Sequence, residues 1–571
     1  MKNITILCLL FCLPLYAQKM TSPALEAALK KPQEQYDLDL SENELSAIPK
    51  EIKTLVNLTS LNISENYLTF LPDEFTQLTK LTSLDASGNM INRLPEKIGN
   101  LKHLVKLELS GNNLSTIPSS VCTIDSLQEL KLKANNLAAL PENLGKLKNL
   151  KTLDLERNKL SELPKSLGQL KSLEQLELRD NDISSLPSGM NNLQQLKYIN
   201  ANGNRLSKLP KDFFEIESLE EIRLSRNQFK SLSEKVGDLS NLKYLVIESN
   251  QLSKLPKSIT SLDKLKVLNV ENNQLTELPS DLGELVSLER LNCKNNQIVL
   301  VPASIAELKN LSELHISMNG LIVLPETIGE LNSLTHLNLE DNFLAELPET
   351  IGALTKLEDL YLGGNQLIEL PDEIGNCSGL LRLDLSRNQL EKIPETFDNM
   401  SLLSNLNLRE NRLTELPEEI GAMTNLTDLA VNENRLKELP STIGNLEKLA
   451  TLSLDGNELT SLPEEFGYLS NLQRLYLQGN NIKKLPGSFT KLKSLAYLNM
   501  DSNNLKSLPK GISDLKNLYY LSFENNSLKS LPESIGELTN LKTLLLRGNF
   551  FSEKEKERIK SLVPKDCDVR F

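Results

Sequence analysis

Apolar and polar positions along this chain follow a pattern that recurs every 23 residues. In one such segment the apolar column is formed by Leu104, Leu107, Leu109, Leu114, Ile117, Val121 and Ile124. Leu107 and Leu109 are two residues apart, the spacing of inward-facing side chains on a β-strand, so Lys106 and Glu108 are expected to face solvent. After Asn112 the apolar spacing widens to three and four residues, which indicates a turn and a short helical segment.

An asparagine occupies the same place in every segment. From Asn43, each step of 23 residues lands on Asn through twenty-three repeats, without insertion or deletion. Representative members of this column are Asn43, Asn112, Asn204, Asn296, Asn388, Asn480 and Asn549. A chain that turns after every strand leaves backbone donors and acceptors inside the coil, and an amide side chain satisfies both. We therefore expect a structural asparagine ladder, buried at the end of each strand.

A proline stands six residues after almost every ladder asparagine, and the complete repeat reads LxxLxLxxNxLxxLPxxIGxLxx. This pattern resembles the leucine-rich-repeat family, in particular the 23-residue class seen in Ras-suppressor-like and Scribble-like proteins and in bacterial exported proteins. The resemblance covers residues 37–571. It implies an α/β solenoid, a horseshoe or superhelix with one long parallel sheet on its concave side and short helical or irregular convex segments. For function it implies a scaffold that binds another macromolecule.

Residues 1–17 combine a single Lys, an apolar run and a small residue at Ala17, the pattern of a secretory signal peptide. The apolar run is too short for a membrane anchor, and a lipoprotein signal at Cys12 is disfavoured by the bulky Phe11. We expect a secreted, periplasmic or cell-surface protein without a transmembrane segment.

The two ends of the mature chain are expected to cap the repeats. Residues 18–36 form the predicted N-terminal cap, where Ser22 and Pro23 begin a helix. The solenoid is assigned to residues 37–549. Residues 550–571 are predicted to form a C-terminal capping helix, opened by a Ser552–Glu555 capping box, and one last strand.

Composition argues against catalysis. The chain has three His, no Trp and 4% aromatic residues, and it contains no phosphate-binding loop, H-E-x-x-H, nucleophile elbow or kinase signature. The formal charge of -13 is spread over a mixed surface, which argues against a nucleic-acid partner. Cys122, Cys293, Cys377 and Cys567 show no metal-ligand spacing and are expected to be free thiols. We expect no enzyme, no cofactor and no metal.

His315 and His336 are predicted to project from neighbouring strands at diagonal positions, roughly 7–8 Å apart. Glu313 and Asp359 lie nearby on the same predicted face. A metal site or a pH sensor is one interpretation of this group. Two solvated histidines on a polar surface is the interpretation that we prefer.

The concave positions that are free to encode recognition lie six, four, two and one residues before each ladder asparagine and one after it. The candidate binding residues at these positions are Tyr198, Tyr244, Tyr361, Tyr476, Tyr497 and Tyr520. Tyrosine suits interface anchors, because it combines apolar area with a hydroxyl, although strands also favour tyrosine intrinsically.

Two groups of these tyrosines are expected to cluster. Tyr198 and Tyr244 join Val246 and Val267 in the middle of the chain. The C-terminal cluster is formed by Tyr476, Tyr497 and Tyr520, exposed together. Between the two clusters is a predicted self-neutralising run of charged residues, formed by Arg382, Arg387, Arg409, Arg412 and Arg435 with Asp384, Glu410 and Glu433.

These features predict an exported protein that recognises a protein or other macromolecular partner on its concave face. One alternative is a structural protein of the cell envelope or surface, for which the long stack matters more than any ligand. The other is an intracellular signalling scaffold, if the leader is not cleaved. The ligand and the oligomeric state are left open by the sequence.

Overall fold

The paired leucines form strands of three residues whose central side chain is buried. Lys106–Glu108 is typical, because Leu107 is buried and the flanking residues face outward. The computed structural model describes residues 19–571, and the chain divides into one unit that ends at Asn273 and a second unit, Gln274–Phe571. The predicted signal peptide and Cys12 lie outside the described residues.

In the first unit, a parallel sheet is built by strands paired at a step of 23 residues, as in Asp37 with Ser60. Helix α1 (Pro23–Lys30) precedes this sheet. The strands are β1 (Asp37–Asp39), β2 (Ser60–Asn62), β3 (Ser83–Asp85), β4 (Lys106–Glu108), β5 (Glu129–Lys131), β6 (Thr152–Asp154), β7 (Gln175–Glu177), β8 (Tyr198–Asn200), β9 (Glu221–Arg223), β10 (Tyr244–Val246) and β11 (Val267–Asn269).

The second unit repeats this arrangement and ends with helix α2 (Glu553–Leu562) and a final strand, β24, that pairs with β23. Its parallel strands are β12 (Arg290–Asn292), β13 (Glu313–His315), β14 (His336–Asn338), β15 (Asp359–Tyr361), β16 (Arg382–Asp384), β17 (Asn405–Asn407), β18 (Asp428–Ala430), β19 (Thr451–Ser453), β20 (Arg474–Tyr476), β21 (Tyr497–Asn499), β22 (Tyr520–Ser522), β23 (Thr543–Leu545) and β24 (Asp568–Arg570).

Short 3-10 helices connect the strands. In most repeats they begin directly after the proline that stands six residues after the ladder asparagine. In the first unit they are Pro32–Glu34, Lys50–Thr54, Asp73–Gln77, Ile98–Asn100, Ser119–Thr123, Leu144–Lys146, Lys165–Gln169, Met190–Asn192, Lys211–Glu215, Glu234–Asp238 and Lys257–Ser261. In the second unit they are Leu282–Glu284, Ala303–Glu307, Glu326–Glu330, Glu349–Ala353, Asp372–Asn376, Glu395–Asn399, Glu418–Ala422, Ser441–Asn445, Glu464–Tyr468, Gly487–Lys491, Lys510–Asp514 and Glu533–Glu537.

The asparagine ladder forms as predicted in the interior repeats. The Asn112 amide donates to the carbonyl oxygens of Ala86 (2.9 Å) and Leu109 (3.0 Å), and its Oδ1 accepts from the backbone N–H of Ile91 at 2.9 Å. Asn204, Asn296, Asn388 and Asn480 are likewise buried.

The two terminal ladder residues, Asn43 and Asn549, are only half-buried, which corrects the prediction of uniform burial. Each lies in the first or last repeat, so the ladder continues on one side alone. The Asn549 amide still donates to Phe523 and Leu546 carbonyl oxygens.

The residue directly before the ladder asparagine adopts a left-handed backbone. Its φ is 53° at Arg387 and 71° at Gly364. Glycine adopts this conformation without cost, whereas other residues are disfavoured there. The turn after each strand imposes this geometry on whichever residue occupies the position.

Both predicted serine caps form, but the predicted capping box of α2 does not. Ser22 accepts a hydrogen bond from the Leu25 N–H at the start of α1, and Ser552 accepts one from the Glu555 N–H at the start of α2. The Glu555 carboxylate does not close the predicted capping box. It instead accepts from the Leu531 N–H at 3.1 Å and from Arg558, which fixes α2 to the preceding repeat.

The four described cysteines are free thiols, and Cys122, Cys293 and Cys377 are buried while Cys567 is half-buried. Within residues 19–571, no helix has the length and apolar character needed to cross a membrane.

Candidate binding surface

The outward-facing residues of the strands form a surface that we call the sheet face, the surface predicted to be concave. In the second unit it carries three tyrosines in contact, which we call the tyrosine triad: Tyr476, Tyr497 and Tyr520. The rings of Tyr497 and Tyr520 stack with centroids 4.3 Å apart and planes within 6°. Tyr476 lies against Tyr497 at 5.1 Å, tilted by 42°. The predicted side-by-side pair and its diagonal neighbour are confirmed.

Strand register explains this contact. Tyr497 and Tyr520 are paired across β21 and β22, while Tyr476 stands two residues further along β20. Each ring covers part of its neighbour, so all three side chains are half-buried, whereas the sequence had predicted that they are exposed together.

The surroundings of the triad are polar. Arg474 pairs with Tyr497 in register and donates to Thr451 Oγ1 at 2.9 Å. Burial raises the pKa of the Tyr497 hydroxyl, and the neighbouring Tyr520 raises it further. Burial also raises the pKa of Asp501, whose Oδ1 accepts from the Glu524 N–H at 2.6 Å. With its pKa raised, the Tyr497 hydroxyl remains a neutral donor and acceptor at neutral pH.

The tyrosines of the first unit do not form the predicted middle cluster. Tyr244 is paired with Val267 on one side, but Glu221 stands between it and Tyr198 on the other. The reason is the repeat step, since Tyr198 and Tyr244 are two strands apart. Tyr198 instead forms a side-chain hydrogen bond with Glu177. Burial raises the pKa of the Tyr198 hydroxyl, and the Glu177 carboxylate raises it further.

Tyr361 and the two histidines occupy a charged part of the sheet face. His336 Nε2 lies 3.1 Å from Asp359 Oδ2, which also accepts from Arg382 at 2.6 Å. The pKa of the Arg382 guanidinium is raised by its hydrogen bonds to Asp359 and Tyr361. His315 Nε2 is 3.4 Å from Glu313 in a separate contact. Register confirms the diagonal placement of the histidines, and each faces its own carboxylate.

Within the described part of the chain, no three His, Cys, Asp or Glu side chains are arranged to hold a metal ion.

The predicted self-neutralising run holds for only some of its arginines. Arg387 reaches across Gly364 to Asp341 (2.9 Å), and Arg409 pairs with Glu410 (2.6 Å). Arg412 and Arg435 are exposed and make no ion pair within residues 19–571. They directly follow their ladder asparagines, two positions beyond the carboxylates of Glu410 and Glu433 that were expected to neutralise them.

Sequence reasoning missed an apolar surface beside the sheet face, which we call the lateral patch. Its members lie between one and four residues after a ladder asparagine: Val299, Leu300, Ile322, Val323, Phe343 and Ile368. Their side chains are between 38% and 58% exposed. Other repeats carry polar residues at the same places, such as Ser115 and Thr116 or Glu391 and Lys392. Comparing these positions between repeats would have revealed the patch, because they are apolar in neighbouring repeats here and polar elsewhere.

Comparison with known proteins agrees with the repeat geometry. The family described as a leucine-rich repeat region matches residues 140–236, 227–320 and 451–564, more than half of the chain. The chain belongs to the leucine-rich-repeat family. A second leucine-rich-repeat family matches residues 36–91, 309–367, 355–413 and 401–459. No curated protein sequence matches this leucine-rich-repeat protein.

Solved structures are similar over most of their length. A TDR receptor has a TM-score of 0.70 at 26% identity, with 92% of this chain and 94% of that chain covered. The plant peptide hormone receptor RGFR1, in complex with RGF2, has a TM-score of 0.68 at 26% identity, with 94% and 91% covered. The Arabidopsis receptor kinase HAESA, in complex with the peptide hormone IDA and the co-receptor SERK1, has a TM-score of 0.64 at 30% identity, with 90% and 87% covered.

Proposed function

We propose that this leucine-rich-repeat protein is an exported, non-enzymatic recognition protein that binds a protein partner on its sheet face, with the tyrosine triad as the main anchor. The observation that carries the proposal is the contact of Tyr476, Tyr497 and Tyr520 on a polar surface. An apolar island with a polar rim is the arrangement of an interface core, in which aromatic residues contribute most of the binding energy.

Two further points support this proposal. HAESA and RGFR1, which share the fold, are each solved in complex with a peptide hormone or RGF2. The pattern of residues 1–17 supports export, and N-terminal sequencing of the mature protein is expected to begin at Gln18. Candidate caps at residues 18–36 and 550–571 would close a solenoid of residues 37–549.

Site-specific crosslinking in the native host tests the partner surface. A photoreactive phenylalanine analogue at position 497 is expected to form a covalent adduct with one protein. The same analogue at position 468 is the matched control, because Tyr468 is exposed on a 3-10 segment, away from the strands. An absence of adducts at position 497, or the same adducts at both positions, would contradict the proposal.

Affinity for the captured partner then measures the anchor. Tyr476→Ala/Tyr497→Ala/Tyr520→Ala is expected to weaken binding by about 2 kcal/mol or more, whereas Tyr468→Ala leaves it unchanged. Equal affinities would remove the anchor role. Thermal unfolding of both variants separates lost binding from lost folding.

A further inference from the structure

The lateral patch draws its residues from four successive repeats. Ile322 stands 23 residues after Val299, and Ile368 stands 46 residues after Ile322. Backbone hydrogen bonds hold these segments side by side, as in Phe343 N–H to Leu321 O at 2.8 Å. Gly320 lies close against Val299 of the preceding repeat, since a Cβ added to Gly320 would lie 3.3 Å from Val299 Cγ1. Contiguous apolar surface with a polar border marks interaction sites in water-exposed proteins.

A cationic groove adjoins one end of this patch. Ile368 lines both, and the groove of about 410 Å³ is also lined by Arg412 and Arg435. Because these two guanidinium groups make no ion pair within residues 19–571, both are available to a carboxylate from outside. Glu369, Glu391 and Lys392 line the same groove, so its three cationic side chains outnumber its two carboxylates.

We propose that the lateral patch and this groove form a second docking surface, separate from the tyrosine triad, for an extended segment of another protein with apolar side chains followed by carboxylates. The apolar side chains would cover Ile322 and Phe343, and the carboxylates would pair with Arg412 and Arg435. Six repeat steps of about 4.8 Å separate the repeats of Val299 and Arg435, so an extended segment of about nine residues spans the surface.

Selection from a phage library of random dodecapeptides on the immobilised full chain tests the chemistry of the occupant. The enriched peptides are expected to carry two or more large apolar residues followed by Asp or Glu. A selection that yields no enriched peptides, or peptides without this order of apolar and acidic residues, would overturn the proposal.

Fluorescence anisotropy with one enriched peptide then locates its site. Ile322→Ser/Phe343→Ser is expected to weaken binding about 30-fold, and Arg412→Ser/Arg435→Ser about 10-fold, with a smaller dependence on salt. The matched control is Val286→Ser/Leu402→Ser, which removes two apolar side chains of similar exposure outside the patch. An equal loss in the control would overturn the assignment.

The tyrosine triad variant separates this inference from the proposed function, because it should bind the peptide like the wild type. Peptide binding that depends on the triad and not on the patch would overturn the second site. Self-association that Ile322→Ser/Phe343→Ser abolishes would assign the patch to a second copy of the chain. Patch-dependent binding to phosphatidylcholine/phosphatidylglycerol vesicles would assign it to a membrane. Either result replaces the proposal.

Discussion

Removal of one interior ladder asparagine should destabilise the protein by an amount that its hydrogen bonds define. The Asn342 amide donates to the carbonyl oxygens of Ile316 and Leu339, both at 2.9 Å, and its Oδ1 accepts from the Leu321 N–H at 3.0 Å. Asn342→Ala removes these three contacts and a fourth, the 3.2 Å bond from the amide to Glu340 O, which still accepts from the Met318 N–H at 2.8 Å. The cost depends on which partners are left without any hydrogen bond.

The carbonyl oxygens keep a second donor after this change. Ile316 O still accepts from the Asn319 amide (3.2 Å), and Leu339 O still accepts from the Asn365 amide (2.9 Å). Only the buried Leu321 N–H loses its partner. A buried, unsatisfied donor costs about 1–3 kcal/mol, so we expect a loss of about 2 kcal/mol in the free energy of unfolding.

Asn549→Ala is the matched control, since Asn549 Oδ1 accepts from the Leu528 N–H in the same way. Asn549 is half-buried, so water can replace the lost bond, and we expect a loss below about 1 kcal/mol. Guanidinium unfolding of both variants measures the difference, and faster amide exchange at Leu321 reports the orphaned donor directly. Equal losses, or a loss below about 0.5 kcal/mol for Asn342→Ala, would refute the reasoning.

Two further predictions concern ionisation. Burial raises the pKa of Asp501 above its ordinary value of 3.8. The stabilisation of the folded state that goes with this shift is present below pH 3.8 and is lost as the pH rises through the raised pKa. Asp501→Asn is therefore expected to raise the melting temperature at pH 7 and not at pH 3, and an equal effect at both pH values would contradict the assignment. Burial raises the pKa of Cys293 and Cys377 to about 12 and of Cys122 and Cys567 to about 11. Because Cys567 is half-buried and the other three are buried, a thiol reagent should label Cys567 first and the others only on unfolding, as timed mass spectrometry would show.

The regular parts of this molecule could be predicted because each depends on local spacing alone. Leu107 and Asn112 have their roles fixed by position within the repeat, and a step of 23 residues sufficed to place Tyr497 beside Tyr520. The same step pairs Tyr244 with Val267 and leaves Tyr198 out of the predicted middle cluster, because a separation of 46 residues places a strand between Tyr198 and Tyr244.

Other details depend on which hydrogen-bond partner or rotamer a side chain adopts, and the repeat spacing does not determine this. The Glu555 carboxylate has several donors within reach, and the Leu531 N–H and Arg558 displace the capping-box partner. The burial of the tyrosine triad arises from rotamers that stack the rings. The lateral patch required a comparison of equivalent columns, since apolar residues such as Ile322 and Phe343 are unremarkable within a leucine-rich sequence.

At the left-handed position before each ladder asparagine, the fold requires a backbone conformation and not a particular side chain. The backbone there accepts glycine at no cost, as in Gly203, Gly364 and Gly456. Many repeats nevertheless hold a larger side chain, such as Met318 or Arg387, at a penalty of about 1–2 kcal/mol each. Each such side chain places a chemical group on a turn whose backbone glycine would satisfy, so these turns are points at which the surface can differ from repeat to repeat without a change of fold.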